Sequence, residues 1–237
     1  MKTIDEQKFE QFVKDNYPNG ETFLTHTSKR EEFNRKNSQI VVNAIPVDLL
    51  FIGDSITEAF ETNMYFRKYG LIVNRGIGGE KLSELVKRLH ADCLALKPRL
   101  AVVASGINDT STLYYEMKNG KEITRTDEDK LLGEMEQNYR FVLDKAQEAG
   151  VSVWLASVLP LGTNDFRSEL ILRINEVIRS LCKEYNTVYV DYHSALCEKD
   201  GKTLKNVHFG DDLHPHVKGY NVMYEVLKTL LEKHKIK

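Results

Sequence analysis

From Val47 onward, apolar positions follow two alternating patterns along the chain. Short unbroken apolar runs are typical of strands buried in a parallel sheet, and longer stretches with apolar residues three or four positions apart are typical of helices. Strands are predicted at Val47–Ile52, Leu71–Asn74, Leu100–Ser105, Val151–Val158 and Thr187–Asp191. Helices are predicted at Thr57–Tyr69, Glu80–Ala95, Asp129–Ala149, Phe166–Tyr185 and Val217–Lys233.

The order of these elements predicts the fold class. Strands that alternate with helices form a parallel sheet covered by helices on both faces. Five strands favour an α/β, flavodoxin-like three-layer α/β/α sandwich with a five-stranded parallel sheet. Residues 1–45 do not follow this pattern and are predicted to be an N-terminal helical extension, with a helix at Ile4–Tyr17 and another in the charged stretch near Lys29. Residues 46–237 then form the main domain.

The segment between Asp109 and Asp127 departs from the strand–helix order. It contains Asn119-Gly120 between alternating side chains, which predicts a β-hairpin. Such an arm follows the third strand and would rise from the sheet edge at which that strand ends. It is either a surface excursion, or a lid or subunit contact in which Tyr114 and Tyr115 offer their rings to a ligand.

Composition and charge narrow the class of protein. With 33 basic and 35 acidic residues among 237, the chain does not have the excess of positive charge expected for a nucleic-acid or membrane surface. No apolar run is long enough to span a bilayer, and the N-terminus has no apolar signal-peptide core. Three widely spaced cysteines without a C-x-x-C pair predict free thiols in a reducing compartment. We therefore expect a cytoplasmic protein.

A single serine stands where the first predicted strand gives way to a helix. In LLFIGDSITEAF, Gly53-Asp54 make the turn and Ser55 begins the helical stretch. Open α/β folds bind ligands at this edge of the sheet, where the N–H groups of a helix N-terminus favour negative charge. Ser55 is therefore a candidate nucleophile, and Asp54 beside it is a candidate substrate-binding residue.

A serine hydroxyl needs a base to take its proton, and one histidine has the required neighbour. In HFGDDLHPHVKGY, His214 follows Asp211 by three residues, so the carboxylate can fold back onto the ring and orient its other nitrogen toward Ser55. Asp212 could take this place if the turn differs. The alternative is that the two aspartates cap the last helix and that His214 and His216 are solvated loop residues.

Two further strand ends offer donors for the oxyanion of acyl transfer. After the second strand, NRGIGGE contains Gly76, Gly78 and Gly79, which let the backbone approach a ligand. After the third strand, the amide of Asn108 can donate. The alternatives are tight-turn glycines or a phosphate-binding loop, and a turn role for Asn108.

Four blocks of the sequence resemble those of the SGNH hydrolases, also called the GDSL esterase family. They are Gly53-Asp54-Ser55, the run from Asn74 to Gly79, Gly106-Ile107-Asn108-Asp109, and the D-x-x-H-P block from Asp211 to Pro215. One block alone is weak, but four in this order at predicted strand ends are specific. Within the family, NRGIGGE and LPLGTNDFRSELILRINEVI are similar to the platelet-activating-factor acetylhydrolase-like and carbohydrate acetylesterase branches.

The resemblance implies an esterase mechanism that needs no metal and no cofactor. Ser55 would be the nucleophile, His214 the base and Asp211 its orienting carboxylate. The oxyanion would be held by the backbone N–H groups of Ser55 and Gly79 and by the side chain of Asn108. Members of these branches mostly remove short acyl groups, often acetyl.

We therefore expect a serine esterase for short acyl groups that acts on a small-molecule ester, with O-acetyl groups on a carbohydrate as the first choice. We expect no nucleic-acid or membrane partner, and a homo-oligomer is left open. The alternative enzyme is a lysophospholipase or thioesterase that takes longer acyl chains.

Two interpretations from other classes remain open. In one, a metal-dependent hydrolase binds its ion through His208, Asp211, Asp212, His214 and His216. In the other, the chain is a binding module without catalytic activity on a hydrolase fold.

Overall fold

A five-stranded, all-parallel sheet forms the centre of the molecule. The computed structural model describes residues 27–162, 165–199, 205 and 211–236. The strands are β1 Leu49–Gly53, β2 Ile72–Gly76, β3 Leu100–Ala104, β4 Val153–Ala156 and β5 Tyr189–Val190. Their order across the sheet is β2-β1-β3-β4-β5, and every neighbouring pair is parallel. The predicted flavodoxin-like α/β architecture is confirmed.

The central strands are buried because both of their faces carry apolar residues. All five residues of β1 are buried, and the residues of β4 are buried as well. The register aligns Gly53 at the end of β1 with Gly76 of β2 and with Ala104 of β3. The carboxyl ends of the three strands therefore lie level at one edge of the sheet.

Helices follow the strands and cover the sheet. They are α1 Thr27–Val42, α2 Ser55–Glu58, α3 Thr62–Phe66, α4 Leu82–Asp92, α5 Ile107–Lys118, α6 Arg125–Ala149, α7 Arg167–Glu184, α8 Tyr192–Leu196 and α9 Val217–Lys233, with 3-10 turns at Arg67–Tyr69 and Leu94–Leu96. Helix α6 lies between α4 and α7, and α9 contacts α8 and β5. Buried leucines and isoleucines of these helices join the strands in one core. None of the helices in the described ranges has both the length and the apolar content that crossing a bilayer requires.

The predicted hairpin between Asp109 and Asp127 is wrong, because most of this segment is the helix α5. Residues Ile107, Thr110 and Leu113 are buried at the spacing of a helix face. Asn119 is the C-cap, and Gly120 adopts a φ of +90°, the left-handed conformation with which helices commonly end. The dipeptide Asn119-Gly120 therefore terminates a helix instead of joining two strands.

Two helices differ most from the prediction. The helix predicted at Thr57–Tyr69 is divided into α2, α3 and a 3-10 turn. Helix α6 begins at Arg125, four residues before the predicted start, because Thr124 and Asp127 form a capping box.

The second helix of the predicted N-terminal extension is present as α1, which packs against α4. The helix predicted at Ile4–Tyr17 lies outside the described residues. The division into an extension of residues 1–45 and a domain of residues 46–237 stays a prediction.

Candidate active site

The level ends of β1, β2 and β3 bring distant segments of the chain together. Close approach at this edge depends on glycine, since a Cβ at Gly53 would collide with the carbonyl oxygen of Ala104. A Cβ at Gly76 would collide with the backbone of Glu58 in α2. The short helix α2 can therefore lie directly over the end of β2.

Ser55 is the first residue of α2, and three contacts hold this helix in place. Asp54 caps it by accepting a hydrogen bond from the Ile56 N–H at 3.0 Å. The hydroxyl of Tyr220 in α9 donates to the Ile56 carbonyl at 3.0 Å. The side-chain amide of Asn74 donates to the Thr57 carbonyl at 2.7 Å. The Ser55 backbone is thereby tied to β2 and to α9.

The structure brings Ser55, His214 and Asp211 into one hydrogen-bonded line. The Ser55 Oγ lies 3.0 Å from His214 Nε2, and His214 Nδ1 lies 3.0 Å from Asp211 Oδ2. Asp211 Oδ1 accepts from the Leu213 N–H at 2.7 Å and also from the His214 N–H. A carboxylate held on Nδ1 leaves Nε2 free to accept the serine proton.

These donors keep Asp211 ionised. The hydrogen bonds from the backbone and then the side chain of His214 lower the pKa of Asp211 from 3.8 to about 2. The carboxylate of the alternative partner, Asp212, lies beside Gly162, since a Cβ at Gly162 would come within 2.5 Å of Asp212 Oδ1, and the Gly162 N–H donates to the Asp212 carbonyl at 2.8 Å. The described geometry thus pairs His214 with Asp211 and not with Asp212.

The predicted oxyanion donors also meet at this edge. Gly79 has a φ of +76°, and its N–H has no hydrogen-bond partner among the residues that the structure describes. Gly78 lies beside Ser55, since a Cβ there would come within 3.8 Å of the Ser55 Cβ. Asn108, the second residue of α5, donates from Nδ2 to the Glu80 carbonyl at 3.0 Å. This contact links the end of β3 to the loop that contains Gly79.

Known proteins with a similar sequence are ester hydrolases, as the geometry of this site suggests. Residues 51–222 match the GDSL-like lipase/acylhydrolase family, which is more than half of the chain. The chain belongs to this family. It is 26% identical over 201 residues to an acetylxylan esterase from Geobacillus stearothermophilus, an alignment that covers 74% of this chain and 89% of that protein. The predicted resemblance to SGNH hydrolases is confirmed, and so is the prediction of an ester hydrolase.

Solved structures share the fold of this acylhydrolase. A GDSL-like lipase from Bacteroides thetaiotaomicron superimposes with a TM-score of 0.68 at 25% identity, over 86% of this chain and 97% of that one. An acetylxylan esterase from Geobacillus stearothermophilus gives a TM-score of 0.62 at 22% identity, over 78% of this chain and 94% of that one.

Asp54 lies in the core of the acylhydrolase. Its relative exposure is 3%, and burial raises the pKa of its carboxyl from 3.8 to about 7, with Asp109 and Glu80 adding repulsion. The predicted contact of Asp54 with substrate stays a prediction, and its burial favours the role of helix cap.

Tyr114 and Tyr115 lie on α5 and not on a hairpin arm. Six residues of helix separate Tyr114 from Asn108, which corresponds to about 9 Å along the axis. The Arg167 guanidinium lies 3.8 Å from the centroid of the Tyr114 ring, and Tyr115 is 65% exposed. Their role in substrate binding remains a prediction.

His214 and His216, which the alternative metal site would need, make other contacts in the structure. His216 caps α9, since its Nδ1 accepts a hydrogen bond from the Lys218 N–H at 3.1 Å. His208 lies outside the described residues. Within the described ranges, no group of three or more His, Cys, Asp or Glu side chains is placed to hold a metal ion.

Several residues around the Gly79 loop were not recognised in the sequence. Glu58 Oε2 accepts a hydrogen bond from the Gly78 N–H at 2.7 Å, and the Glu80 carboxylate pairs with Arg88. Glu58 ends α2, Glu80 precedes α4 and Arg88 lies within α4, and isolated charged residues at such positions are also typical of a solvated surface.

Proposed function

We propose that this acylhydrolase is a serine esterase that removes short acyl groups, acetyl above all, through an acyl-enzyme intermediate. The observation that carries the proposal is the line of contacts from Ser55 Oγ through the His214 ring to Asp211, with 3.0 Å at each step. Both distances are within hydrogen-bond range, which is what transfer of the serine proton requires.

In the first half-reaction, Ser55 Oγ attacks the ester carbonyl carbon while His214 Nε2 takes the hydroxyl proton. Asp211 stabilises the imidazolium that forms. The tetrahedral oxyanion accepts hydrogen bonds from the N–H groups of Ser55 and Gly79 and from the side-chain amide of Asn108. The carbon–oxygen bond to the alcohol then breaks, and the imidazolium gives its proton to the leaving oxygen.

In the second half-reaction, water attacks the acyl-enzyme while His214 takes one of its protons. The same three donors hold the second oxyanion. The bond between the acyl carbon and Ser55 Oγ breaks, the serine regains its proton from His214, and the carboxylic acid leaves. The cycle consumes one water and needs no oxidant, reductant or metal.

We further propose an O-acetylated carbohydrate as the substrate. The relative named acetylxylan esterase, which covers 74% of this chain, supports this choice. The Tyr114 and Tyr115 rings supply aromatic surface on α5, the helix that also carries Asn108.

The proposal is tested by comparing wild-type protein with Ser55→Ala in the hydrolysis of p-nitrophenyl acetate, butyrate and octanoate. Acetate release from acetylated xylooligosaccharides tests the carbohydrate substrate. We expect kcat/KM to be highest for acetate and Ser55→Ala to lose at least about 10³-fold in kcat. Near-wild-type activity of Ser55→Ala would refute the nucleophile. Rates that rise from acetyl to octanoyl would instead favour the lysophospholipase or thioesterase alternative.

A further inference from the structure

The loop that contains Gly79 is held from both sides by glutamates. On one side, Glu58 Oε2 accepts the Gly78 N–H at 2.7 Å. On the other side, the Glu80 carbonyl accepts the Asn108 side-chain amide at 3.0 Å. The positions of these two glutamates therefore determine where the Gly79 N–H and the Asn108 amide point.

Each glutamate is connected to the helix α1 by an ion pair, directly or in relay. Lys29 Nζ lies 2.8 Å from Glu58 Oε1. The next residue of α1, Arg30, donates from Nη1 and Nη2 to the two oxygens of Asp92, both at 2.5 Å. Consecutive residues of one helix thus reach the two flanks of the Gly79 loop.

The longer relay continues from Asp92 to Glu80 through one arginine. Arg88 Nη1 donates to Asp92 Oδ2 at 3.2 Å, and its Nε and Nη2 donate to the Glu80 carboxylate at 2.6 and 2.5 Å. Arg88 Nη2 also lies 3.3 Å from the Gly53 carbonyl, two residues before Ser55. One guanidinium therefore contacts both the Gly79 loop and the strand that leads to the nucleophile.

The relay is buried along its whole length. Arg30, Arg88, Glu80 and Asp92 are each no more than 2% exposed. Water cannot replace a lost partner there, and a guanidinium holds a carboxylate in a fixed bidentate geometry. A substitution of Arg30 should consequently shift the position of Glu80.

Two other side chains of α1 support the preceding part of the loop. Asn37 donates to Asp92 Oδ1 at 2.7 Å and accepts from Arg75 Nη2 at 2.7 Å. Phe33 packs with Ile77 in a small cluster of its own. Helix α1 therefore contacts the segment from Arg75 to Glu80 directly at Arg75 and Ile77, and through the ion pairs at Gly78 and Glu80.

We propose that α1 positions the oxyanion donors, with Arg30 acting through Asp92 and Arg88 on Glu80, and Lys29 acting through Glu58 on Gly78. The inference rests on the proposed function, in which Gly79 and Asn108 bind the oxyanion. Helix α1 precedes the residues 51–222 that match the family, so this device belongs to the predicted extension of residues 1–45. Arg30 and Lys29 are positioning residues, because neither contacts the reacting atoms.

A positioning role predicts an effect on kcat rather than on KM. The oxyanion exists only in the tetrahedral state, so misplaced donors lower kcat and leave the binding of the neutral ester unchanged. Loss of a complete oxyanion donor costs about 10²–10³-fold in kcat, so a donor that is displaced but present should cost about 10-fold.

The test compares wild type, Arg30→Met, Arg30→Lys and Lys29→Met in hydrolysis of p-nitrophenyl acetate. The matched control is Leu231→Ala, which removes a fully buried side chain at the far end of α9 and lowers stability without touching the relay. Rates are divided by the amount of Ser55 that a fluorophosphonate labels at completion, so unfolded protein is not counted. The inhibition constant of phenylboronic acid, which forms a tetrahedral anion on an active serine, is measured in parallel.

We expect Arg30→Met to lower kcat per labelled serine about 10-fold at unchanged KM, and to raise the phenylboronic acid inhibition constant by a similar factor. Arg30→Lys should recover part of the loss, because lysine keeps the charge without the bidentate geometry. Lys29→Met, at a half-exposed pair, should lower kcat about twofold. Leu231→Ala should leave kcat per labelled serine unchanged.

Wild-type kcat and boronic acid binding in Arg30→Met would overturn the inference while leaving the esterase mechanism intact. If Arg30→Met does not fold, wild-type kcat and boronic acid binding in Arg30→Lys, together with wild-type kcat in Lys29→Met, overturn it in the same way. Wild-type protein without Ser55-dependent hydrolysis would overturn the proposed function, and this inference with it.

Discussion

Replacing Asp54 by asparagine should stabilise the protein at neutral and alkaline pH, although it alters the residue beside the proposed nucleophile. The Asp54 carboxyl is buried and caps α2 through Oδ1. An asparagine has the same shape and keeps an oxygen for the Ile56 N–H, but it cannot ionise. The substitution therefore removes the cost of a buried charge and retains the cap.

The magnitude follows from the pKa of Asp54. Burial raises this pKa from 3.8 to about 7, so between these values the folded protein holds a proton that the unfolded chain has lost. The folded state binds more protons there, and the free energy of unfolding falls as pH rises until it levels off above pH 7. At about 1.4 kcal/mol for each pKa unit, the full loss is about 4 kcal/mol. Roughly 2–3 kcal/mol of it falls between pH 5 and pH 8.

Thermal unfolding of wild type and Asp54→Asn at pH 5 and pH 8 measures this effect. For a chain of this size, 1 kcal/mol corresponds to about 2–4 °C, so the Tm advantage of Asp54→Asn should grow by about 5–10 °C between the two pH values. Asp191, which caps α8 at the surface, provides the matched control. The Tm difference between Asp191→Asn and wild type should be the same at both pH values, because the Asp191 carboxylate is not buried in the core and lies 3.6 Å from Arg179 Nη2. A Tm difference between Asp54→Asn and wild type that stays constant from pH 5 to pH 8 would show that ionisation of Asp54 does not destabilise the folded protein.

Two further substitutions test the site through p-nitrophenyl acetate kinetics. Asn108→Ala removes an oxyanion donor and its contact with the Glu80 carbonyl, so kcat should fall about 10²-fold with little change in KM; a raised KM at unchanged kcat would contradict this role. Asp211→Asn removes the charge that stabilises the imidazolium and should lower kcat about 10²-fold. This loss is smaller than for a buried triad carboxylate, because 58% of the Asp211 side chain is exposed. Retention of more than half of the wild-type kcat would contradict the pairing of Asp211 with His214.

The architecture could be predicted because its signals are local. A buried strand such as β1 is a short apolar run, and the repeated order of strand and helix allows few topologies. The same topology places the ends of β1, β2 and β3 at one edge. Ser55, the glycines of NRGIGGE and Asn108 could therefore be predicted to lie together, and the spacing of Asp211 and His214 supplied the partner of the serine. The choice of Gly79 among those glycines rests on the family resemblance.

The failures come from signals that have two structural meanings. Asn119-Gly120 is typical of a hairpin turn and equally of a helix C-terminus, and the buried face of α5 decided between them. Asp54 is a different case: its side chain is buried and caps α2, and its predicted contact with substrate stays a prediction. The relay from Arg30 to Glu80 could not be predicted, since contacts across 62 residues between Arg30 and Asp92 leave no periodic pattern in a single sequence.

Covalent labelling of the nucleophile shows whether His214 activates Ser55. Wild type and His214→Ala are incubated with a fluorophosphonate, and the modified residue is located by mass spectrometry of peptides. We expect one label, on Ser55, and a labelling rate at least about 10²-fold lower in His214→Ala. A label on another residue, or equal rates in the two proteins, would contradict it.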